Sequence, residues 1–335
     1  MSTDGASRPV VRRDVVVVGA GPCGLAAAIA CQQRGLSVVT IERSCLVSGI
    51  ASYPTEMVFF STAERLSIAD VPFVVAGAKP TRRDALAYYR AVTRHAGLEV
   101  AQYTAAERLD RAGTGWQLTA TSRAHGALRY DARAVVIATG YFGQPNRLGV
   151  PGESLPHVSH RFVEGHGAFD QDVVVVGGAN SAVDAALELY RAGARVTLVH
   201  FEAELDPKVK PWVRPDIEAR IREGAIAVRF GARVEAIMAD HVVVVDANGA
   251  SRVPATQVYT MLGYLPEVGL LAQAGVPIDP VTGIPAHDPA TMQTPVAGVY
   301  LAGVLASGFD ANKTFIENGR HHGAMIAADL ASSSS

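Results

Sequence analysis

Residues 14–30 read DVVVVGAGPCGLAAAIA. Four consecutive valines with no polar break suit a strand buried on both faces of a parallel sheet. The run ends in Gly19-Ala20-Gly21-Pro22-Cys23-Gly24, which satisfies a GxGxxG spacing, and a helix is expected over residues 22–34. In that spacing Gly19 permits a tight turn, Gly21 lets a pyrophosphate approach the backbone, and Gly24 lets the helix pack closely. The free N–H groups of the helix start attract the anion. Pro22 agrees, because proline is favoured in a first helical turn. A second strand is expected over 38–41, and Glu42 follows it 18 residues past Gly24, placed to accept hydrogen bonds from a ribose diol. Strand, glycine turn, helix, strand and acid stand in register, which predicts an α/β fold with a dinucleotide cradle at its start.

The pattern returns about 158 residues later. Strands are expected over 173–176 and 195–199 around a helix over 181–192, with Gly177-Gly178-Ala179-Asn180-Ser181-Ala182 at the turn. Ala179 and Ala182 replace the second and third glycines, positions where alanine still fits. His200-Phe201-Glu202 follows the second strand, with no arginine where a 2′-phosphate needs one. Glu202 is placed to hold a ribose diol, which favours NADH, while Lys208, Lys210 and Arg214 lie near enough in sequence to favour NADPH. The fold class is therefore α/β with two Rossmann-like dinucleotide-binding domains, one nested in the other. Residues 14–150 and 266–335 are assigned to the outer domain, 151–265 to the inner, and 1–13 to a flexible tail. Between the two cradles a helix is expected over 81–95, capped by Thr81, then a small meander of strands over 100–103, 116–122 and 128–131. Residues 135–139 return to the main sheet. The segment 298–330 supplies a strand, a glycine-rich turn and a long helix beginning near Asn312, and completes the first sheet.

At 335 residues the chain exceeds a single small core and fits two domains of roughly 150 residues each. Its net charge of -2 and the lack of a dense Lys/Arg block give no footprint for nucleic acid or an anionic membrane. No apolar run approaches the roughly 18 residues of a membrane span, and the opening lacks a signal-peptide core, so a cytoplasmic protein is expected. The three cysteines, Cys23, Cys31 and Cys45, form neither an even disulfide framework nor a CxxC pair. Cys31, two turns along its helix, is expected in the core, and nothing pairs Cys45. His321-His322 lacks a third residue at metal-ligand spacing, so no metal is expected. A homo-oligomer is expected.

Ala138-Thr139-Gly140, with Pro145 and Pro151-Gly152, resembles the crossover of flavoproteins of the thioredoxin reductase and flavin monooxygenase type. Gly298-Val299-Tyr300-Leu301-Ala302-Gly303 resembles their second flavin-contacting motif, except that Val304 stands where an aspartate is usual. Asp310 and Asn312 are the candidates to replace that aspartate, and a helix from Asn312 would aim its positive end at the flavin ring. More specifically, GPCGLAAAIA, Ser52-Tyr53-Pro54-Thr55 through Phe59-Phe60-Ser61, Val71-Pro72-Phe73, Ala87-Tyr88-Tyr89-Arg90, DQDVVVVGGANSAVDAALELYRAGA, Lys210-Pro211-Trp212 and FIENGRHHG together resemble the bacillithiol disulfide reductases over nearly the whole chain. That resemblance implies non-covalent FAD in the first cradle, a nicotinamide cofactor (usually NADPH) in the second, and a low-molecular-weight thiol disulfide as acceptor. It places the redox cysteine at Cys23, where a helix start would lower the thiol pKa. The competing reading is that position 23 only needs a small residue beside the pyrophosphate. A flavin monooxygenase and a ferredoxin-type electron-transfer flavoprotein are the alternative activities.

Overall fold

A computed structural model describes residues 10–332. The chain divides into two units, one built from residues 10–51, Met57–Gln144 and residues 265–332, the other from Ser52–Glu56 and Pro145–Tyr264.

In the first unit the strand Val10–Val18 pairs in parallel with Val38–Ile41 on one edge and with Gly126–Ile137 on the other. Val15, Val16 and Val17 are fully buried, as a strand covered on both faces requires. Each such side chain contributes roughly 1.5–3 kcal/mol through burial. The strand begins four residues earlier than Asp14, because Gly126–Ile137 is long enough to give Val10 to Arg13 backbone partners from Arg129 to Ala132. The rest of the expected tail, residues 1–9, lies outside the described residues.

Gly126–Ile137 is one strand where two were expected. One of its edges changes partner midway. Antiparallel pairing with Gly115–Ser122 ends at Trp116 and Ala132, and parallel pairing with Val299–Leu301 begins at Val135. The last strand thus joins the first sheet, as its apolar run implied. The meander has an unexpected member, Thr104–Ala112, while the strand expected over 100–103 stops at Ala101. A register shift between Ala106 and Arg108 breaks the alternation that would have marked the new strand in the sequence.

The helix Arg82–His95 starts at a reciprocal cap. Asp84 N–H donates to Thr81 Oγ1 (3.2 Å), and Thr81 N–H donates to Asp84 Oδ2 (2.9 Å). Tyr88 and Tyr89 use their hydroxyls to tie this helix to the preceding corner: Tyr88 receives Ile68 N–H (2.8 Å) and donates to Val71 O (2.7 Å), and Tyr89 donates to Leu66 O (2.9 Å). Phe73 stacks on Tyr88 with ring centroids 4.1 Å apart.

The C-terminal helix does not begin near Asn312. A 3-10 turn spans Gly303–Ser307, a single helical turn spans Ile316–Gly319, and the helix proper is His322–Ser332. Asn318 sets the start of the single turn, since its Oδ1 accepts from Phe315 N–H (2.7 Å) and its Nδ2 donates to Lys313 O (2.9 Å). The final helix lies close against Pro22–Gln33, where a methyl at Gly323 would come within 2.7 Å of Ala27 backbone atoms.

The second unit holds a five-stranded parallel sheet in the order Ala227–Arg229, Arg195–Val199, Asp172–Val176, Gln257–Thr260 and Val158–Ser159. Val173 and Val175 face a core with Leu187, Leu198 and Ile217. Val174 and Val176 face another with Val242, Val244 and Val258, from the strands His241–Asp246 and Gln257–Thr260. Both faces of the run are covered, which is why it reads as unbroken valine. Among the described residues no helix is long and apolar enough to cross a membrane.

Candidate functional site

In the first cradle Gly19 holds φ +108°, a conformation that favours glycine, and donates its N–H to Ile41 O at 2.8 Å. A methyl at Gly24 would overlap the Gly19 carbonyl oxygen, so the third glycine is demanded by the approach of helix to strand. A methyl at Gly21 would meet nothing within 4 Å. That open face is where a pyrophosphate can reach the backbone. The helix Pro22–Gln33 has no side-chain cap and no acid in its first turn, so its leading N–H groups stay available to an anion, and Pro22 has none to leave unpaired.

Glu42 is only 7% exposed. Its Oε2 accepts from Ala20 N–H (3.0 Å), and its Oε1 accepts from Ser44 N–H (2.9 Å) and Ser48 Oγ (3.1 Å). The carboxylate is thereby fixed beside the glycine turn with lone pairs left for a ribose diol. Thr139 donates through Oγ1 to Glu267 O (2.9 Å), and Gly140 follows with φ +78°. These residues fit FAD: an open pyrophosphate cradle, an uncapped helix start and a buried acid aimed at the same turn.

Cys23 sits in the first helical turn, and its sulfur packs against Gly303 and Gly319, where a methyl on Gly303 would come 3.1 Å from Sγ and one on Gly319 2.9 Å. The helix start does not lower its pKa as expected. Burial dominates and pushes the thiol up to about 12, so it is protonated at neutral pH. Cys31 is in the core as expected, fully buried and likewise raised to about 12. Cys45 is unpaired.

The motif at Gly303 finds a partner that sequence reasoning did not assign. Gly303 N–H donates to His322 Nδ1 at 3.1 Å, which leaves the ring proton on Nε2. Burial, with His287 and His321 nearby, lowers the His322 pKa to about 4 and keeps the ring neutral. Asn312 and Asp310, the candidates for the missing aspartate, occupy an exposed turn in which Asn312 donates to Asp310 Oδ1. The only signal for His322 in the sequence is its place in FIENGRHHG.

The second cradle repeats the bond that opens the first. Gly177 holds φ +138° and donates to Val199 O at 2.9 Å, and a methyl there would come within 2.5 Å of Met261 O. The helix Asn180–Arg191 has no side-chain cap, and Ser181 is exposed at its start. Asn180 spends its amide on the following loop, with Nδ2 donating to Lys208 O (3.2 Å) and Oδ1 accepting from Lys210 N–H (2.9 Å). Asp206 N–H donates to Gly178 O (3.0 Å) and closes that loop on the turn. His200 is 6% exposed, its ring lies where a methyl at Gly178 would be, and neither ring nitrogen has a hydrogen-bond partner. Burial lowers its pKa, against a smaller opposing pull from Glu202 and Asp206. Glu202 is exposed at the strand end. These residues fit a nicotinamide dinucleotide. Among the described residues no group of His, Cys, Asp and Glu could hold a metal ion.

The profile of the pyridine nucleotide-disulphide oxidoreductases matches residues 16–303. A Bacillus subtilis protein named bacilliredoxin reductase Bdr is 43% identical over 96% of this chain and 98% of its own. The solved structure of the bacillithiol disulfide reductase Bdr from Bacillus cereus superposes with a TM-score of 0.94 at 43% identity, covering 96% of this chain and all of that one. Its Staphylococcus aureus counterpart gives 0.91 at 38% identity, with 97% and 99% covered.

Proposed function

We propose, from the premise that this chain belongs to the pyridine nucleotide-disulphide oxidoreductases, that it spends NADH or NADPH on reducing bacillithiol disulfide or a closely related small thiol disulfide. The observation that carries the reading is likeness along the whole chain, at 43% identity, to a protein named for that substrate. The enzyme is an oxidoreductase whose cofactors are FAD and a nicotinamide dinucleotide. We assign FAD to the cradle of Gly19, Gly21, Pro22, Gly24 and Glu42, with Thr139, Gly140 and Gly303 beside it. The nicotinamide cofactor belongs to Gly177, Gly178, Asn180, Ser181, His200 and Glu202. The outer unit is thus the FAD-binding domain and the inner one the NAD(P)H-binding domain.

FAD held by Gly19, Gly21, Gly24 and Glu42 would supply the two-electron chemistry that links a nicotinamide to a disulfide. The balance is one NAD(P)H, one proton and one disulfide in, and one NAD(P)⁺ and two thiols out. The role proposed for Cys23 is to attack one sulfur of the substrate and break its S–S bond, so that one half leaves as a thiol and the other stays in a mixed disulfide, which the two electrons from NAD(P)H would then open to release the second thiol. A thiol held near 12 attacks only after losing its proton, so this step calls for a base at the site when substrate is present. The reading includes a homo-oligomer and a cytoplasmic setting, the latter in keeping with three unpaired cysteines.

The test is anaerobic. Wild type and Cys23→Ser are reduced with NADH or NADPH, bacillithiol disulfide is added, and flavin reoxidation is followed with thiol release. Reoxidation with two thiols per flavin in wild type, lost in the variant, is the expected result. If reduced wild type responds only to oxygen or a one-electron acceptor, the disulfide reading falls. A requirement for added bacilliredoxin, the protein in the Bacillus subtilis relative's name, would move the acceptor to a protein mixed disulfide.

A further inference from the structure

The two cradles stand in the same register, so each residue of one has a counterpart in the other. Glu42 lies 23 positions after Gly19, and His200 lies 23 after Gly177. Both follow the last residue of a strand whose carbonyl takes the first glycine's N–H, Ile41 in one case and Val199 in the other. Ala20 corresponds to Gly178. Where Ala20 N–H meets the Glu42 carboxylate, the His200 ring lies against Gly178, in space that a methyl would claim. The pair Ala20 and Glu42 has been exchanged together for Gly178 and His200, because a ring at the second position leaves no room for a side chain at the first.

We infer that this exchange, with Phe201 and Glu202 beside it, makes the second cradle select NADH over NADPH. The inference rests on the reading that this cradle holds the nicotinamide cofactor. A neutral imidazole, buried with both nitrogens unpartnered, can serve the ribose hydroxyls in place of the carboxylate. A 2′-phosphate needs an arginine fork at the strand end. Phe201, 49% exposed, and the carboxylate of Glu202 occupy that place instead. Glu202 is held there by its backbone, whose carbonyl accepts from Gly231 N–H at 2.7 Å. A phosphate carrying nearly two negative charges would face a carboxylate rather than a cation.

Of the cations that sequence proximity brought forward, Arg214 is engaged through its side chain, and Lys208 and Lys210 are held through their backbones. Arg214 donates to Asp206 O (2.6 Å) and pairs with Glu218 (3.1 Å). Lys208 and Lys210 lie on the loop fastened by Asn180. The rival is Arg233, whose guanidinium lies over the Phe201 ring 5.0 Å from its centroid and carries the charge a phosphate would seek.

The deciding measurement is calorimetric binding of NAD⁺, NADP⁺ and ADP-ribose to the flavin-loaded protein, which involves no turnover. NAD⁺ and ADP-ribose are expected to bind at least about tenfold more tightly than NADP⁺. Glu202→Arg is expected to raise the affinity for NADP⁺ relative to NAD⁺ by about tenfold or more. His200→Asn, whose fold is checked by its melting curve, is expected to weaken ADP-ribose. Tighter binding of NADP⁺ by the native protein overturns the inference, and loss of that preference in Arg233→Ala would then assign the phosphate to Arg233. If no dinucleotide binds while FAD stays bound, the nicotinamide reading of the second cradle falls as well, which separates the two failures.

Discussion

The two cradles are built on one plan and differ in how tightly each residue is bound to its role. In the first, helix and strand approach so closely that a methyl at Gly24 would overlap the Gly19 carbonyl, while the second already carries a methyl at the matching Ala182. In the first, the residue after the strand is a carboxylate with three donors; in the second, it is a ring with none. The comparison teaches that glycine spacing is a packing requirement whose strictness depends on the helix's distance, whereas ligand choice is set by the pair at the strand end.

The largest effect is expected from making the two cradles alike. Gly24→Ala is expected to cost more than about 3 kcal/mol or to yield flavin-free protein, whereas Ala182→Gly costs about 1 kcal/mol or less, read by denaturant unfolding and flavin content. The second test is pH. His322, in the first unit, ordinarily titrates at 6.5 and is held at about 4, so the stability it contributes is complete above pH 6.5 and is lost as pH falls towards 4. Roughly 2–3 kcal/mol should disappear across that window, and His322→Gln should flatten the acid limb of the melting profile.

Glu42→Ala comes next. It strands the N–H groups of Ala20 and Ser44, at an expected cost of about 2 kcal/mol and with weaker FAD retention on dialysis. Gly178→Ala should cost about 1–2 kcal/mol, and His200→Ala in the same chain should relieve most of it, a coupling that a double-mutant cycle reads directly. The smallest effect belongs to Asp184, in the helix of the second cradle. Burial raises its carboxyl from 3.8 to about 6, with Glu188 adding to the rise. Stability is therefore present below 3.8 and lost as pH climbs through 6, so Asp184→Asn should raise the unfolding free energy at pH 8 by about 1 kcal/mol and leave it unchanged at pH 3.

Legibility followed the kind of interaction. Apart from the four residues added at the start of the first strand, the two strand–helix–strand units lie within a residue or two of the expected bounds, because valine runs and glycine turns are local signals. Family motifs such as Ala87-Tyr88-Tyr89-Arg90 carried no physical reason until the hydroxyl bonds to Leu66, Ile68 and Val71 supplied one. The misreadings lie where a distant partner decides. Val10 to Arg13 become strand only because of residues 129–132. Cys23 loses its expected acidity because Gly303 and Gly319, some 280 to 296 positions away in sequence, close around its sulfur. His322 was invisible as a partner of Gly303 for the same reason.

The strand Gly126–Ile137 has a consequence for synthesis on the ribosome. Its second edge is completed by Val299–Leu301, and the helix Pro22–Gln33 is covered by His322–Ser332, so the outer unit cannot close until residues 299–332 have emerged. The inner unit, by contrast, has all of its sequence by Tyr264. Maturation therefore runs out of chain order: residues 145–264 can finish first, while the strand Val10–Val18 and the helix Pro22–Gln33 wait, with apolar surface exposed, for residues 299–332.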